Sequence, residues 1–134
     1  KVDTIVEGVV ANIRANETPI LIFSAMVHTC DEIAASLSEA LRRERITTAE
    51  TEAEFVHKFT GLVAPKKIAQ IFKDFKSGAC SVVIFSSVGA MGHDYVRKDK
   101  RGVRHLYVCE LFWIYARFTQ LLGRGRRQNA HDNW

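Results

Sequence analysis

The densest chemistry in the chain is one run near its end: Gln120-Leu121-Leu122-Gly123-Arg124-Gly125-Arg126-Arg127. Arg124 and Arg127 stand three residues apart, so one helical turn can aim both at a single ligand. Guanidinium groups are permanently charged and forked, which suits them to phosphate oxygens. Beside a phosphoryl group in transfer, such an arginine stabilises charge that develops in the transition state. Taken alone, the run also fits a basic tail or a nucleic-acid patch.

Charge distribution favours an anionic partner without choosing among these. Residues 1–96 hold 10 basic and 12 acidic side chains, net −2, whereas residues 97–134 hold 9 basic and 3 acidic, net +6. A basic end of this kind suits nucleic acid, nucleotide phosphates or both. The polar run at residues 96–104 reads as an exposed hairpin centred near Gly102. Its Arg97, Lys98, Lys100, Arg101 and Arg104 are candidates for nucleic-acid phosphates.

Cys30, Cys80 and Cys109 are widely spaced, as are the five histidines. None has a zinc or redox spacing, so the thiols read as free and buried, and no metal site is expected in this chain. No apolar run approaches a membrane span of about 20 residues. With no leader-like apolar segment, an intracellular protein with no membrane partner is expected. The first residue is Lys1 rather than Met, and the chain reads as an excised piece of a longer protein.

The elements that must hold these groups form one domain over residues 1–134. Hydrophobic content of 47% and charged content of 25% match a globular fold and exclude disorder, collagen and coiled coil. Thr29 and Glu32 have the spacing of a capping box, followed by an apolar stripe at Ile33, Ala34, Leu37, Ala40 and Leu41. Arg42, Arg43 and Arg45 close that helix where its dipole favours cations. A second helix runs from Pro65 to Gly78 with a stripe at Ile68, Ile71, Phe72 and Phe75. Apolar runs at 20–23, 55–59, 80–85 and 105–111 have strand length and the continuous character of parallel strands buried on both faces. The order is helix, strand, helix, strand, helix, strand, basic loop, strand, helix, which predicts a doubly wound α/β sheet with helices on both faces. Phe72, Phe75, Phe85 and Phe112 read as core; Trp113 fits either the core or a stacking surface. In such sheets ligands meet the carboxyl ends of strands, so residues 24–29, 60–61, 86–94 and 110–113 are the ones to watch.

These segments together resemble the C-terminal RecA-like domain of superfamily-2 helicases and translocases. The Gln120…Gly123-Arg124…Arg127 pattern resembles their motif VI. Ser86-Ser87-Val88-Gly89-Ala90-Met91-Gly92-His93-Asp94 resembles motif V, T-x-x-x-x-x-G-x-D, with Ser86 in place of Thr. Ile20-Leu21-Ile22-Phe23-Ser24 is similar to the motif IV strand, and residues 55–61 with Lys66, Phe72, Phe75 and Gly78 to the segment before motif V. Glu110-Leu111-Phe112-Trp113 resembles the D/E-L-P-W of chromatin-remodeller-like and strawberry-notch-like helicases. Phe112 stands where that group usually has Pro, and Gly125-Arg126 where it has a bulkier pair.

The resemblance implies roles residue by residue. Arg127 would be the arginine finger, Arg124 a second γ-phosphate contact, and Gln120 would position water or a phosphate. Gly92 and Asp94 would meet the nucleotide ribose or couple ATP to the strand, and Gly123 would lie on the nucleotide. Ser86, Ser87 and the segment from Ser24 to Thr29 would meet the nucleic-acid backbone, DNA rather than RNA. The chain has no G-x-x-x-x-G-K-[ST] and no D-E-x-[DH]. Cradling ATP and holding Mg would therefore fall mainly to an N-terminal RecA-like domain of the same protein, and this domain alone would hydrolyse nothing. The alternative is a non-catalytic RecA-like module that only grips nucleic acid or a protein.

Overall fold

The computed structural model describes residues 2–60, 64–86 and 102–109. In chain order these form α1 (Val2–Arg14), β1 (Ile20–Phe23), α2 (Val27–Arg43), α3 (Glu52–Phe55), β2 (Val56–Phe59), α4 (Pro65–Ser77), β3 (Val82–Phe85) and β4 (His105–Val108). Among the described residues the expected order of strands and helices holds, with the short α3 added before β2. The final helix expected after residue 111 lies outside the described residues.

All the strand pairs are parallel, in the order β2-β3-β1-β4. The chain therefore steps from β1 past β3 to β2 through α2, then back to β3 through α4. Because the two steps run in opposite directions, a uniform right-handed crossover puts their helices on opposite faces. The packing agrees. Ile20, Ile22, Val82 and Ile84 face α1 and α2, meeting Val6, Val9, Ile33, Leu37 and Leu41. Leu21, Phe23, Val83 and Phe85 face α4, meeting Ile71 and Phe75. Each fully buried side chain of this size adds about 1.5–3 kcal/mol of hydrophobic stabilisation.

Burial also sorts the strands. β1 and β3, flanked by strands on both sides, are buried at every position, as their unbroken apolar sequences require. β2 and β4 flank them and alternate between buried and more open positions. Phe72 and Phe75 pack on the α4 side as expected, Phe75 fully and Phe72 in part.

Three local expectations change. α2 starts at Val27, not after a Thr29 cap, and its N-cap residue is Met26 with no side-chain cap. The Ser24 hydroxyl accepts the Met26 N–H at 3.1 Å, so it turns the chain two residues earlier and places Thr29 inside the helix. The polar stretch 44–54 carries a short helix, α3. Thr48 and Thr51 each accept the other's backbone N–H ahead of it. Finally, Gly102, Val103 and Arg104 are half-buried rather than exposed. Arg104 N–H donates to Pro19 at 2.9 Å, so these residues are the parallel approach to β4; the rest of the expected hairpin lies outside the described residues.

α4 keeps its expected ends. Pro65 opens it, and Gly78 closes it at φ 92°, a left-handed conformation that costs glycine little.

Candidate functional site

Register places the candidate residues. Phe59, Phe85, Phe23 and Val108 form one row across the four strands. The next residue on each strand, Thr60, Ser86, Ser24 and Cys109, therefore forms a polar row just past the carboxyl edge. Backbone bonds continue the ladder into it: Ser86 N–H to Phe59 at 3.3 Å, Ser24 N–H to Phe85 at 3.1 Å and Cys109 N–H to Phe23 at 3.0 Å. Ser24 and Ser86, 62 residues apart in the chain, thus become neighbours on adjacent strands.

The two serines differ in exposure. Ser86 is half-buried. Ser24 is 0% exposed, its hydroxyl is engaged with Met26, and its carbonyl accepts the Cys30 thiol at 3.5 Å. The structure thus gives the Ser24 side chain the work of shaping the turn. The surface beside it is formed by the exposed residues 25–28, where Met26 is 56% and Val27 46% exposed. No acidic residue occupies the first turn of α2, so the positive end of its dipole faces this edge without a countercharge of its own.

Arg104 does not join them. It precedes the first residue of β4, beside Pro19, at the amino edge. Five strand rises of about 3.3 Å, roughly 16 Å in all, separate its level from that of Cys109. There it sits in a different polar cluster. His105 Nε2 and Glu17 Oε1 are 2.8 Å apart, and Asn12 Nδ2 donates to the same oxygen at 3.4 Å. The bond from His105, with the nearby Arg104 charge, holds the Glu17 carboxyl below its usual range. Tyr107 donates to Asn12; burial first, and the Glu17 charge second, push its phenol up.

A second cluster escapes sequence reasoning. His57 of β2, 4% exposed, lies 2.8 Å from the Asp74 carboxylate of α4, also buried. Gln70 Nε2 donates to the other Asp74 oxygen at 2.8 Å. A signal exists in the sequence: Asp74 sits three residues after Ile71 and next to Phe75, inside the apolar stripe, and a carboxylate there needs a partner. Next to it, burial pushes the Cys80 thiol up to about 12. Cys30 and Cys80 are buried thiols outside any disulfide, as expected, whereas Cys109 is half-buried.

Gln120, Gly123, Arg124, Arg127, Gly92, Asp94, Ser87, Arg97, Lys98, Lys100 and Arg101 lie outside the described residues, as do Phe112 and Trp113. Among the described residues no three His, Cys, Asp or Glu side chains are grouped to hold a metal ion. Nor is any helix among them long and apolar enough to cross a membrane.

A parallel sheet of this order, covered by helices on both faces and carrying polar turns at its carboxyl edge, defines an α/β domain of RecA-like type. A family model, the helicase conserved C-terminal domain, matches residues 1–129, and the chain belongs to that family. It is a helicase-type motor domain, of a class that binds nucleic acid and uses ATP with magnesium. Comparison with curated proteins and with solved structures gives no match.

Proposed function

We propose that this domain is the second motor domain of an ATP-dependent superfamily-2 helicase or translocase, completing an ATP site shared with a first RecA-like domain. The observation that carries the reading is the juxtaposition of Ser24 and Ser86. They close the strands assigned to motifs IV and V, and they meet side by side at the carboxyl edge, where open α/β sheets take their ligands. Family membership supports it.

In this reading a DNA strand runs across residues 25–28 and the half-buried Ser86, with Ser87 beside it and Ser24 holding the turn. Arg97, Lys98, Lys100, Arg101 and Arg104 bind further phosphates, Arg104 from the opposite edge of the sheet. Gly92, Asp94 and Gly123 contact the nucleotide. Gln120 orients water or a phosphate, Arg124 contacts the γ-phosphate, and Arg127 is the arginine finger. Mg and most of the ATP contacts belong to the first domain. The likeness of Glu110-Leu111-Phe112-Trp113 to the D/E-L-P-W segment supports a kinship with the strawberry-notch-like and chromatin-remodeller-like groups.

Arg127→Ala in the intact protein tests the assignment. A finger acts on transition-state charge, so turnover should fall by about 10³–10⁵ while ATP affinity changes little. Turnover surviving within a few-fold would remove Arg127 from the role.

A further inference from the structure

β2 is gripped from both faces of the sheet by consecutive residues. The strand pleat sends neighbours to opposite sides: His57 reaches Asp74 in α4, and Lys58 reaches Asp31 in α2. The two pairs differ in kind. His57–Asp74 is buried, whereas Lys58 Nζ and Asp31 Oδ1 meet at 2.6 Å with side chains 42% and 51% exposed. Position gives the exposed pair its interest. Asp31 lies one turn into α2, whose first residues Val27 and His28 border the carboxyl edge. Lys58 lies two residues before Thr60, the β2 member of the polar row. The pair therefore spans the two segments that flank the Ser86–Ser24 turns, from the side of α2.

We infer that Asp31 and Lys58 are positioning residues: their ion pair sets the first turn of α2 against the end of β2 and so fixes the gap through which the nucleic-acid strand passes. This rests on the proposed path of the strand over that edge. Neither group touches the strand. The lysine charge is held by Asp31, and the pair works through the spacing of residues 25–28 and Thr60. An exposed ion pair contributes little to global stability, so altering it leaves a folded protein whose edge geometry has changed.

Charge reversal separates positioning from direct binding. In the intact protein, affinity for a fluorescein-labelled single-stranded oligo(dT) is measured by anisotropy at fixed salt, well below each variant's melting temperature. Variants are Asp31→Lys, Lys58→Asp, the double exchange and Val27→Asp. Each single reversal puts like charges together and should weaken binding about fivefold, the equivalent of breaking one exposed pair. The double exchange should restore it. If Lys58 instead met phosphates directly, Asp31→Lys would tighten binding and the double exchange would not rescue Lys58→Asp; either result overturns the inference, as do unchanged single variants. Val27→Asp places a carboxylate on the exposed first turn and reports on the path itself. If it weakens binding while the reversals behave otherwise than expected, only the positioning role falls. If it has no effect, the strand does not cross this edge and the inference falls with the path.

Discussion

Alkaline pH should destabilise the domain through a thiol that sits far from the candidate site. Cys80 is 0% exposed, and burial raises its thiol from 9.0 to about 12; the Asp74 charge nearby acts in the same direction. A folded-state value above the unfolded one means that the folded protein holds this proton more tightly. The associated stability is therefore complete below pH 9 and is lost as pH rises from 9 towards 12. Each unit is worth about 1.4 kcal/mol, so roughly 3 kcal/mol should be gone by pH 11. That is a large share of the 5–15 kcal/mol typical of a domain. Urea unfolding followed by circular dichroism at pH 8, 9.5 and 11 measures the loss, with Cys80→Ser as reference. The serine hydroxyl can make the same bond to the Val82 carbonyl, which the thiol reaches at 3.3 Å, and it does not titrate in this range. Other alkaline groups, Tyr107 among them, contribute equally to both proteins. The stability gap between wild type and Cys80→Ser should therefore move in favour of the variant by roughly 3 kcal/mol between pH 8 and 11. A gap that stays constant would refute the argument.

Two further outcomes follow from charge and burial. Asp74→Ala leaves the buried His57 ring without its partner and should cost about 3 kcal/mol in urea unfolding, whereas Asp74→Asn, which keeps an acceptor, should cost clearly less; equal losses would mean that the cluster contributes only packing. Neutralising Arg97, Lys98, Lys100, Arg101 and Arg104 together should weaken binding alike for unrelated single-stranded sequences and flatten the salt dependence, by about 0.7 in log–log slope for every phosphate that is no longer neutralised; an unchanged slope would free these residues from the nucleic-acid interface.

Sequence legibility follows the range of the forces involved. Pro65 and Gly78 mark the ends of α4 because their backbone constraints are local and unconditional. The runs that form β1 and β3 are readable because strands buried on both faces leave no polar alternation. Thr29 misleads because a capping box describes a helix start only when nothing earlier turns the chain, and Ser24 does so from outside the helix. The short α3 is hidden for a similar reason: it depends on two threonines bonding each other's backbone, without an apolar stripe to announce it. His57–Asp74 joins residues 17 apart, across a strand and a helix, and no local pattern records such a pairing. The site divides the same way. Proximity of Ser24 and Ser86 is implicit in their both ending parallel strands, but that their strands are adjacent is a property of the order β2-β3-β1-β4. That Arg104 lies at the other edge of the sheet depends on where it pairs, which composition does not encode.

The adjacency of β1 and β3 makes the sheet a gauge. Hydrogen-bonded strands lie about 4.8 Å apart, so the turns at Ser24 and Ser86 are separated by a distance set by backbone bonding rather than by side-chain packing. Helices can tilt and the flanking strands β2 and β4 can shift without altering that interval. In the proposed two-domain motor, any movement of this domain against its neighbour would carry both turns together as one rigid jaw, and the length of travel along a bound strand would be decided outside the sheet, at the joint between domains.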